Sequence, residues 1–221
     1  RRYSKNFDSI VVLSRYNQKK LEKMGVKSKI IKIVPGIDKT FLEPPNNLNV
    51  TKIKKKICNE NIPILMYFTS PLTLRGTDNL VRAFAKVRKE IKSKLIILSR
   101  REHVELSKDE QILEKIAVDE GISDSMEILS MYLDPEEIKE YISATDIICL
   151  PFKIVISEIP LSILEAMALG KPVISTNIGC IPELLNPKLL VKPNSPSDLS
   201  MKILELINDP ELVHKLGRES R

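Results

Sequence analysis

Residues 146–176 read DIICLPFKIVISEIPLSILEAMALGKPVIST, and the order of their parts predicts the fold. The apolar run DIICLP (146–151) is typical of a strand, and after a loop Pro160 opens a helix that ends near Gly170. The run KPVIST (171–176) then predicts a second strand. Strands this apolar occur in parallel sheets that helices cover on both faces. The stretch therefore predicts one strand, helix, strand unit of an α/β fold.

The same alternation extends outward over most of the chain. Strands are predicted for the apolar runs at 62–69, 94–99, 125–129, 146–151, 171–176 and 188–192, and helices at about 76–92, 108–120, 134–144, 159–169 and 196–208. Asp134 before Pro135 is typical of an N-cap followed by a first-turn proline. Because parallel strands are joined by right-handed crossovers, strict alternation predicts an α/β, Rossmann-like doubly wound parallel sheet.

The start of the chain follows a different pattern. Residues 1–42 hold a strand, helix, strand pattern that is too short to bury a core of its own. The run EPPNNLNVTKIKKK then falls in residues 43–57 and is typical of an interdomain linker. We therefore predict the tail of a first domain at 1–42, a linker at 43–57 and a Rossmann-like domain at 58–221. The missing initiator methionine and the abrupt end at GRESR indicate a fragment of a longer protein.

Composition excludes several classes of protein. The 221 residues are 43% hydrophobic and 29% charged, with neither an apolar run long enough to span a membrane nor a signal peptide, so a cytoplasmic location is expected. Aromatic residues make up only 5% and Trp is absent, which disfavours nucleic-acid binding through base stacking. Cys58, Cys149 and Cys180 show no metal-like spacing and are predicted to be reduced thiols.

Positive charge is concentrated at the start of the chain. The formal net charge is +6, yet residues 1–34 alone carry ten Lys or Arg against two acidic residues. A solvated basic face is one interpretation of this arm. Contact with an anionic membrane surface, at the periphery of the inner membrane face, is another.

Ligands of an open parallel sheet bind beyond the carboxyl ends of the strands, where helix N-termini present free N–H groups. The first such loop is TSPLTLRGTDNL (69–80), in which Arg75 and Gly76 open a helix. Arg75 and the main-chain amides that follow it could hold a phosphate-sized anion. This loop contains neither a G-x-G-x-x-G fingerprint nor a P-loop. A solvated arginine at a helix start is the alternative interpretation of Arg75.

Two glutamates follow the strand DIICLP. Glu165 lies in the second turn of the helix that starts at Pro160, in a largely apolar setting, so its carboxylate needs a partner. That partner is either a ligand at the helix N-terminus or a neighbouring Lys or Arg. Glu158 precedes the helix and is typical of a solvated or capping carboxylate. No catalytic triad, metal-ligand cluster or D-x-D pair accompanies them, and His103 and His214 lie in charged segments typical of a surface.

Together these stretches resemble the retaining GT-B glycosyltransferases of family 4, over nearly the whole chain. LSILEAMALGKPVISTNIGCIPELL (161–185) closely follows the family pattern lvllEAmAcGkPVvatdvGGipEli. MYFTSPLTLRGTDNLVRAF (66–84) resembles yvGrlspeKGvdlLieAf, ATDIICLP resembles aDvfvlPS, and KIIKIVPGID resembles the turn vipnGvD. The resemblance implies that the chain is the C-terminal, nucleotide-sugar-binding half of a GT-B fold and that residues 1–42 end an acceptor domain.

The resemblance also implies roles for individual residues. Glu165 matches the second glutamate of the family's E-x7-E motif, which hydrogen-bonds the ribose hydroxyls, and Arg75 matches the lysine that neutralises the leaving diphosphate. Amides around Leu161 and Ser162 would contact the diphosphate, and the base would lie near Arg100 and Met131. The implied catalytic residues are Glu158 and Arg75, and the implied donor-binding residues are Ser70, Arg75, Gly76, Arg100, Met131, Ser157, Glu158, Ile159, Pro160, Leu161, Ser162 and Glu165.

The chain departs from the family pattern at three of these places. The first glutamate of the motif is expected at the position of Ser157, and Glu158 stands one residue later. Either a slip of the loop brings Glu158 to the sugar, or Ser157 takes its place and the contact is lost. Ser70 replaces a diphosphate-binding arginine, and Pro160 removes one amide donor.

The expected function is transfer of a hexose from a nucleoside-diphosphate sugar to a hydroxyl acceptor with retention. The family implies no metal and no cofactor. The acceptor, a glycan or a lipid-linked molecule, would need the missing N-terminal domain, so this chain alone is expected to be inactive. Two alternatives stay open: a non-catalytic Rossmann-like binding module, favoured by Ser70 and Ser157, and a GT-B-type sugar-nucleotide epimerase.

Overall fold

The computed structural model describes residues 7–100 and 105–221, with Arg100 described by its backbone alone. In chain order its strands and helices are β1 (Ser9–Val12), α1 (Arg15–Lys23), β2 (Lys29–Lys32), α2 (Asn47–Ile57), β3 (Ile64–Tyr67), α3 (Thr77–Glu90), β4 (Lys94–Arg100), α4 (Lys108–Asp119), β5 (Met126–Met131), α5 (Pro135–Ser143), β6 (Ile147–Leu150), α6 (Leu161–Ala168), β7 (Val173–Thr176), β8 (Leu190–Val191), α7 (Pro196–Ile207) and α8 (Pro210–Ser220). Short 3-10 turns lie at Lys39–Leu42, Thr73–Arg75, Ile181–Glu183 and Pro187–Leu189.

The last six strands form one parallel sheet in the order β5-β4-β3-β6-β7-β8. Leu65 in β3 pairs with Leu95 of β4 on one side and with Ile147 of β6 on the other. Every residue of β3, β6 and β7 is buried, because helices cover both faces of the sheet. The predicted α/β, Rossmann-like doubly wound parallel sheet is confirmed.

The helices divide between the two faces of this sheet. The chain runs outward from β3 to β5 and then outward from β6 to β8 in the opposite direction, so right-handed crossovers place α3 and α4 on one face and α5 and α6 on the other. α3 packs against α4 and α7, whereas α2 packs against α5 and α6 packs against α8. The reversal between β3 and β6 opens a crevice at the carboxyl ends of these two strands.

The N-terminal unit is a small parallel pair of strands. β1 and β2 pair in register from Ser9 with Lys29 to Val12 with Lys32, and α1 is their crossover. The unit is attached to the larger sheet through Phe41, whose side chain is buried in the main hydrophobic core. The predicted strand, helix, strand pattern of this segment is therefore confirmed.

The predicted linker, residues 43–57, contains the helix α2, which the sequence analysis did not predict. Asn46 caps its N-terminus by accepting hydrogen bonds from the main-chain N–H groups of Leu48 and Asn49. The Asn49 amide donates to a Glu140 carboxylate oxygen in α5 at 2.8 Å, and Ile57 is buried. The segment is thus packed against the large sheet's helices, while the division into three parts stays a prediction.

The basic arm faces solvent where the structure describes it. Lys19, Lys20 and Lys23 on α1 are exposed, and Lys29 and Lys32 at the two ends of β2 are exposed as well. Within residues 7–100 and 105–221, no helix combines the length and the apolar character that crossing a bilayer requires.

Candidate functional site

The candidate site lies where the strand order reverses. The loop from β3 to α3 and the loop from β6 to α6 leave adjacent parallel strands and turn to opposite faces of the sheet. Such a switch point leaves a crevice that side chains do not fill and directs helix N-termini toward it. Both loops selected in the sequence analysis therefore border one crevice.

Gly76 and Pro151 bring the two loops into direct contact. Gly76 has φ +84°, and a Cβ atom on it would lie 1.9 Å from the main-chain oxygen of Pro151. Only glycine permits both this backbone conformation and this approach. Beside the contact, the Lys153 ammonium donates to the Asp78 carboxylate at 2.7 Å. The two loops are therefore fixed relative to each other.

Hydrogen bonds hold the loop from β3 to α3 in shape. The Tyr67 hydroxyl donates to the main-chain oxygen of Ser70 at 2.8 Å, and the Asp109 carboxylate accepts from the Thr73 N–H and hydroxyl at 2.9 and 2.8 Å. Burial raises the pKa of the Tyr67 phenol well above its usual range, although the Arg75 charge opposes the shift, so the hydroxyl remains a donor. The guanidinium of Arg75 donates to the Thr69 hydroxyl. Arg75 is thus oriented by its own loop.

A cavity of about 290 Å³ opens between the two loops. Its lining residues are Thr69, Arg75, Phe152, Val155, Ile156, Ser157, Ile159, Pro160, Leu161, Ser162 and Glu165. Seven of the residues predicted from the sequence are among them, from both loops and from α6. The structure therefore brings the core of the predicted site together.

Two kinds of polar group line this cavity: a cation and main-chain N–H groups, which suit an anion, and a carboxylate, which suits hydroxyl donors. The first main-chain N–H groups of α6, at Leu161 and Ser162, have no acceptor among the residues that the structure describes, and Pro160 gives no side-chain cap. With the positive end of the helix dipole and the Arg75 cation, they form a site for negative charge. Glu165 presents a carboxylate to the same cavity one turn further along α6.

Glu165 reaches the cavity because the rest of α6 is anchored in the core. Ile163 and Ala166 are fully buried, so α6 directs this face into the core. The side chain of Glu165 is only partly exposed and lines the cavity. A partly buried carboxylate of this kind binds hydroxyl donors strongly, since hydrogen bonds to charged groups are the stronger class.

Glu158 and Ser157 take different directions. Ser157 lines the cavity, whereas Glu158 does not. One carboxylate oxygen of Glu158 accepts hydrogen bonds from the N–H groups of Leu13 at 2.6 Å and Ser14 at 2.9 Å and from the Ser14 hydroxyl at 3.0 Å. Of the two arrangements left open by the sequence, the structure has Ser157 facing the cavity. The catalytic role assigned to Glu158 stays a prediction.

Three other predicted site residues do not line the cavity. Ser70, Gly76 and Met131 are not among its lining residues, although Gly76 and the Ser70 carbonyl shape the first loop. The side chain of Arg100 lies outside the described residues, as does His103. His214 is exposed on α8. The predicted surface position of His214 is thus confirmed, and the donor-binding roles of Ser70, Gly76, Arg100 and Met131 remain predictions from the resemblance.

Sequence reasoning missed two carboxylates that support the site from α4. Asp109 anchors Thr73, as described above, and Glu110 is fully buried and accepts from the Ser130 hydroxyl at 3.0 Å. Burial raises the pKa of Glu110, but hydrogen bonds from the Ser107 N–H and the Ser130 hydroxyl help to outweigh it and leave the pKa below its usual value. The pattern Ser-x-x-Glu at Ser107 and Glu110 is typical of a capping box and could have indicated from the sequence that these residues begin a helix.

Comparison with known proteins points to one family. The protein-family model described as glycosyl transferases group 1 matches residues 50–221. Among curated proteins, the MMP alpha-(1->4)-mannosyltransferase of Mycolicibacterium hassiacum is 25% identical over 206 residues, which cover 91% of this chain and 45% of that protein. The chain therefore spans about half the length, or less, of such relatives.

Solved structures share the fold. The sucrose-phosphate synthase of Thermosynechococcus elongatus superposes with a TM-score of 0.82 at 22% identity, covering 96% of this chain and 52% of that one. Anabaena HepE, solved in complex with UDP and glucose, superposes with a TM-score of 0.83 at 17% identity, covering 96% of this chain and 57% of that one. Both likenesses concern the architecture, which is that of GT-B glycosyltransferases.

Proposed function

The chain belongs to the glycosyl transferases group 1 family, and on that premise we propose that it is the donor-binding half of a hexosyltransferase. The donor is a nucleoside-diphosphate sugar, the acceptor carries a hydroxyl group, and the sugar is transferred with retention of configuration. One observation carries the proposal: Arg75, the free N-terminus of α6 and Glu165 line a single cavity at the switch point of the sheet.

The diphosphate is assigned to the Arg75 end of the cavity. Arg75 supplies a cation, and the N–H groups of Leu161 and Ser162 supply hydrogen bonds and the positive end of the helix dipole. Glu165 is assigned to the ribose, whose neighbouring hydroxyls are donors that one carboxylate can accept together. These are the roles that the sequence resemblance implies for the same residues.

The chemical step requires stabilisation of the leaving group. Negative charge accumulates on the diphosphate as the bond between the sugar and the phosphate oxygen breaks. Arg75 and the α6 amides are fixed in place before that charge develops, which is the arrangement that lowers a transition-state energy most effectively. The acceptor attacks from the face that the diphosphate leaves, and these protein groups can neutralise the diphosphate with neither a metal nor a cofactor.

The nature of the donor has support from relatives. Anabaena HepE binds UDP and glucose in its solved structure, and the Mycolicibacterium hassiacum relative is a mannosyltransferase. A nucleotide sugar as partner of this cavity is consistent with both. A thermal-shift screen of UDP, GDP and ADP sugars on the intact chain tests the proposal. We expect stabilisation by the cognate donor that is lost in Arg75→Ala; a folded chain that none of these donors stabilises would contradict the proposal.

A non-catalytic binding module is the second candidate. It is favoured by Ser157, which lines the cavity where the family has a glutamate, and by the engagement of the Glu158 carboxylate with α1. Product analysis with the cognate donor and the full-length protein separates the two. Glycosylated acceptor supports the transferase, whereas binding without any product supports the module.

A further inference from the structure

Four consecutive main-chain N–H groups at the start of α1 are bound by two carboxylates from far along the chain. Glu158 accepts from Leu13 and Ser14, and Glu183 accepts from Arg15 at 2.9 Å and from Tyr16 at 2.5 Å. The partners are 144 to 168 residues apart in sequence. This pair of carboxylates is called the α1 clamp below.

The α1 clamp supplies what α1 itself lacks. The first turn of α1 has no acidic residue, and Ser14 caps only the N–H of Asn17. The remaining N–H groups at the start of a helix need acceptors from outside it, and negative charge there is favourable because of the helix dipole. Glu158 and Glu183 meet both needs from the large sheet's side of the molecule. The contact therefore joins the N-terminal unit to the loops beyond β6 and β7.

The two carboxylates of the α1 clamp belong to one connected block. The Cys180 thiol donates to the main-chain oxygen of Glu158 at 2.6 Å, and Cys180 directly precedes the 3-10 turn that carries Glu183. Burial, with the nearby Glu183 and Glu158 charges, raises the pKa of Cys180 to about 11, so the thiol keeps the proton that it donates. A methyl carbon of Val155 lies 3.5 Å from the position that a Cβ atom on Gly179 would occupy, so the loop beyond β6 also packs against the loop beyond β7.

The α1 clamp also shares its backbone with the donor cavity. Glu158 stands between Ser157 and Ile159, both of which line the cavity, while Glu183 lines none of it. Glu158 is bonded in the chain to both of these residues, so a single residue separates the contact with α1 from the lining of the cavity.

We propose that Glu158 and Glu183 are positioning residues that dock the N-terminal unit onto the donor loop and so hold Ser157 and Ile159 in the form that receives the nucleotide. The docking itself stands on the contacts above, and its effect on nucleotide affinity rests on the proposed function. Glu158 then acts through the loop, and Ser157 is the residue that faces the donor.

Amide hydrogen exchange tests the docking without any nucleotide. In Glu183→Ala we expect exchange at Arg15 and Tyr16 to accelerate about tenfold or more, since two charged hydrogen bonds are lost. Glu22→Ala on the same helix is the control and should leave these amides unchanged. Unchanged protection at Arg15 and Tyr16 in Glu183→Ala overturns the docking.

The variants Glu158→Gln and Glu183→Gln give a sharper geometric test. Glu158 uses one oxygen for both of its main-chain bonds, whereas Glu183 uses a different oxygen for each. Glu158→Gln can therefore keep protection at Leu13 and Ser14, while Glu183→Gln, with one acceptor oxygen, loses protection at Arg15 or Tyr16. The opposite ranking, or equal protection in both variants, contradicts the assigned contacts.

Calorimetric titration with UDP, and with GDP and ADP in parallel, tests the effect on the site. We expect Glu183→Ala to weaken nucleotide affinity about three- to tenfold and Glu22→Ala to leave the affinity unchanged. Because Glu183 lies outside the cavity, the loss in Glu183→Ala would be indirect, through the loop. An affinity unaltered by Glu183→Ala overturns the positioning role. If the unmodified chain binds none of the three, the proposed function fails, and the exchange experiment still decides the docking.

Discussion

At the scale of single residues, Glu165 carries the most direct prediction. Its carboxylate lines the cavity and is assigned to the ribose hydroxyls. Glu165→Ala should weaken nucleoside-diphosphate binding by about 1 to 3 kcal/mol, the range for hydrogen bonds to a charged group. Calorimetric titration measures the change, with exposed Glu114→Ala on α4 as the matched control. Equal affinities in the Glu165 and Glu114 variants would rule out the ribose role.

Cys180 gives a prediction about pH. Its pKa is raised to about 11, chiefly by burial, so at pH 7 to 8 the native thiol is protonated and reacts slowly with iodoacetamide. Partly exposed Cys58 should be alkylated well before Cys180 in the folded chain, and both should react in denaturant. Because folding raises the pKa of the Cys180 thiol, the thiol's contribution to the free energy of unfolding is complete below about pH 9. That contribution is lost as the pH rises toward 11. Peptide mapping after timed alkylation measures the order, and rapid labelling of native Cys180 at pH 7 would contradict the buried hydrogen bond.

Some residues of the site could be predicted because their side chains are unusual at their positions in the predicted helices. Arg75 and Glu165 could be found from the sequence, since a cation at a helix start and a carboxylate in an apolar helix both need an explanation. The direction of Glu158 could not, because its partners Leu13 and Ser14 lie about 145 residues away and no local pattern encodes that contact. Asp109 was missed for the same reason, since it acts through Thr73 on another loop.

At the scale of elements, the contact between the two site loops can be tested through Gly76. Gly76→Ala places a methyl group 1.9 Å from the Pro151 oxygen at a φ of +84°, so the loops must separate. We expect a loss of stability of about 1 to 3 kcal/mol together with weaker nucleotide binding. Thermal melts and calorimetry measure both.

Gly121 is the matched control for Gly76. It has φ +69°, but nothing lies within 4 Å of its ideal Cβ position. Gly121→Ala should therefore show only the backbone cost, about 1 to 2 kcal/mol, and unchanged nucleotide affinity. If the two variants bind nucleotide equally well, the contact at Pro151 does not shape the cavity.

Helix α8 allows stability to be separated from binding. Gly217 is buried, and a Cβ atom on it would lie 2.1 Å from the main-chain oxygen of Gly170. Gly217→Ala should lower the melting temperature through about 1 to 3 kcal/mol of overpacking, whereas exposed Lys215→Ala should change it little. Nucleotide affinity should not change while the chain is folded, because α8 lies outside the cavity. Reduced affinity in folded Gly217→Ala would contradict this separation.

The strands and most helices followed from the sequence, and two helices did not. Apolar runs such as DIICLP and KPVIST predict buried strands directly, because only a sheet covered on both faces accommodates them. α2 and α8 were missed because Pro, Asn and charged residues dominate their segments and each helix has few buried residues, namely Ile57 in α2 and Leu216 and Gly217 in α8. Tertiary packing, rather than local pattern, determines such helices.

At the scale of the whole molecule, the chain corresponds to about half of the relatives that it matches. The cavity proposed for the donor is lined by residues between 69 and 165, and the sequence resemblance implies that the acceptor binds in a further domain. We therefore predict that this chain binds nucleotide and does not transfer sugar efficiently. Product analysis with the cognate donor and simple hydroxyl acceptors measures transfer. Rapid turnover by this chain alone would contradict the prediction that the acceptor needs a further domain.

Calorimetric titration of the intact chain with UDP, GDP and ADP measures whether the switch-point cavity is a nucleoside-diphosphate site. Saturable binding of at least one of the three with a stoichiometry of about one, weakened roughly tenfold or more in Arg75→Ala, is the result that the geometry predicts. No binding of any of the three to the folded chain, or equal affinity in the unmodified chain and Arg75→Ala, would contradict it.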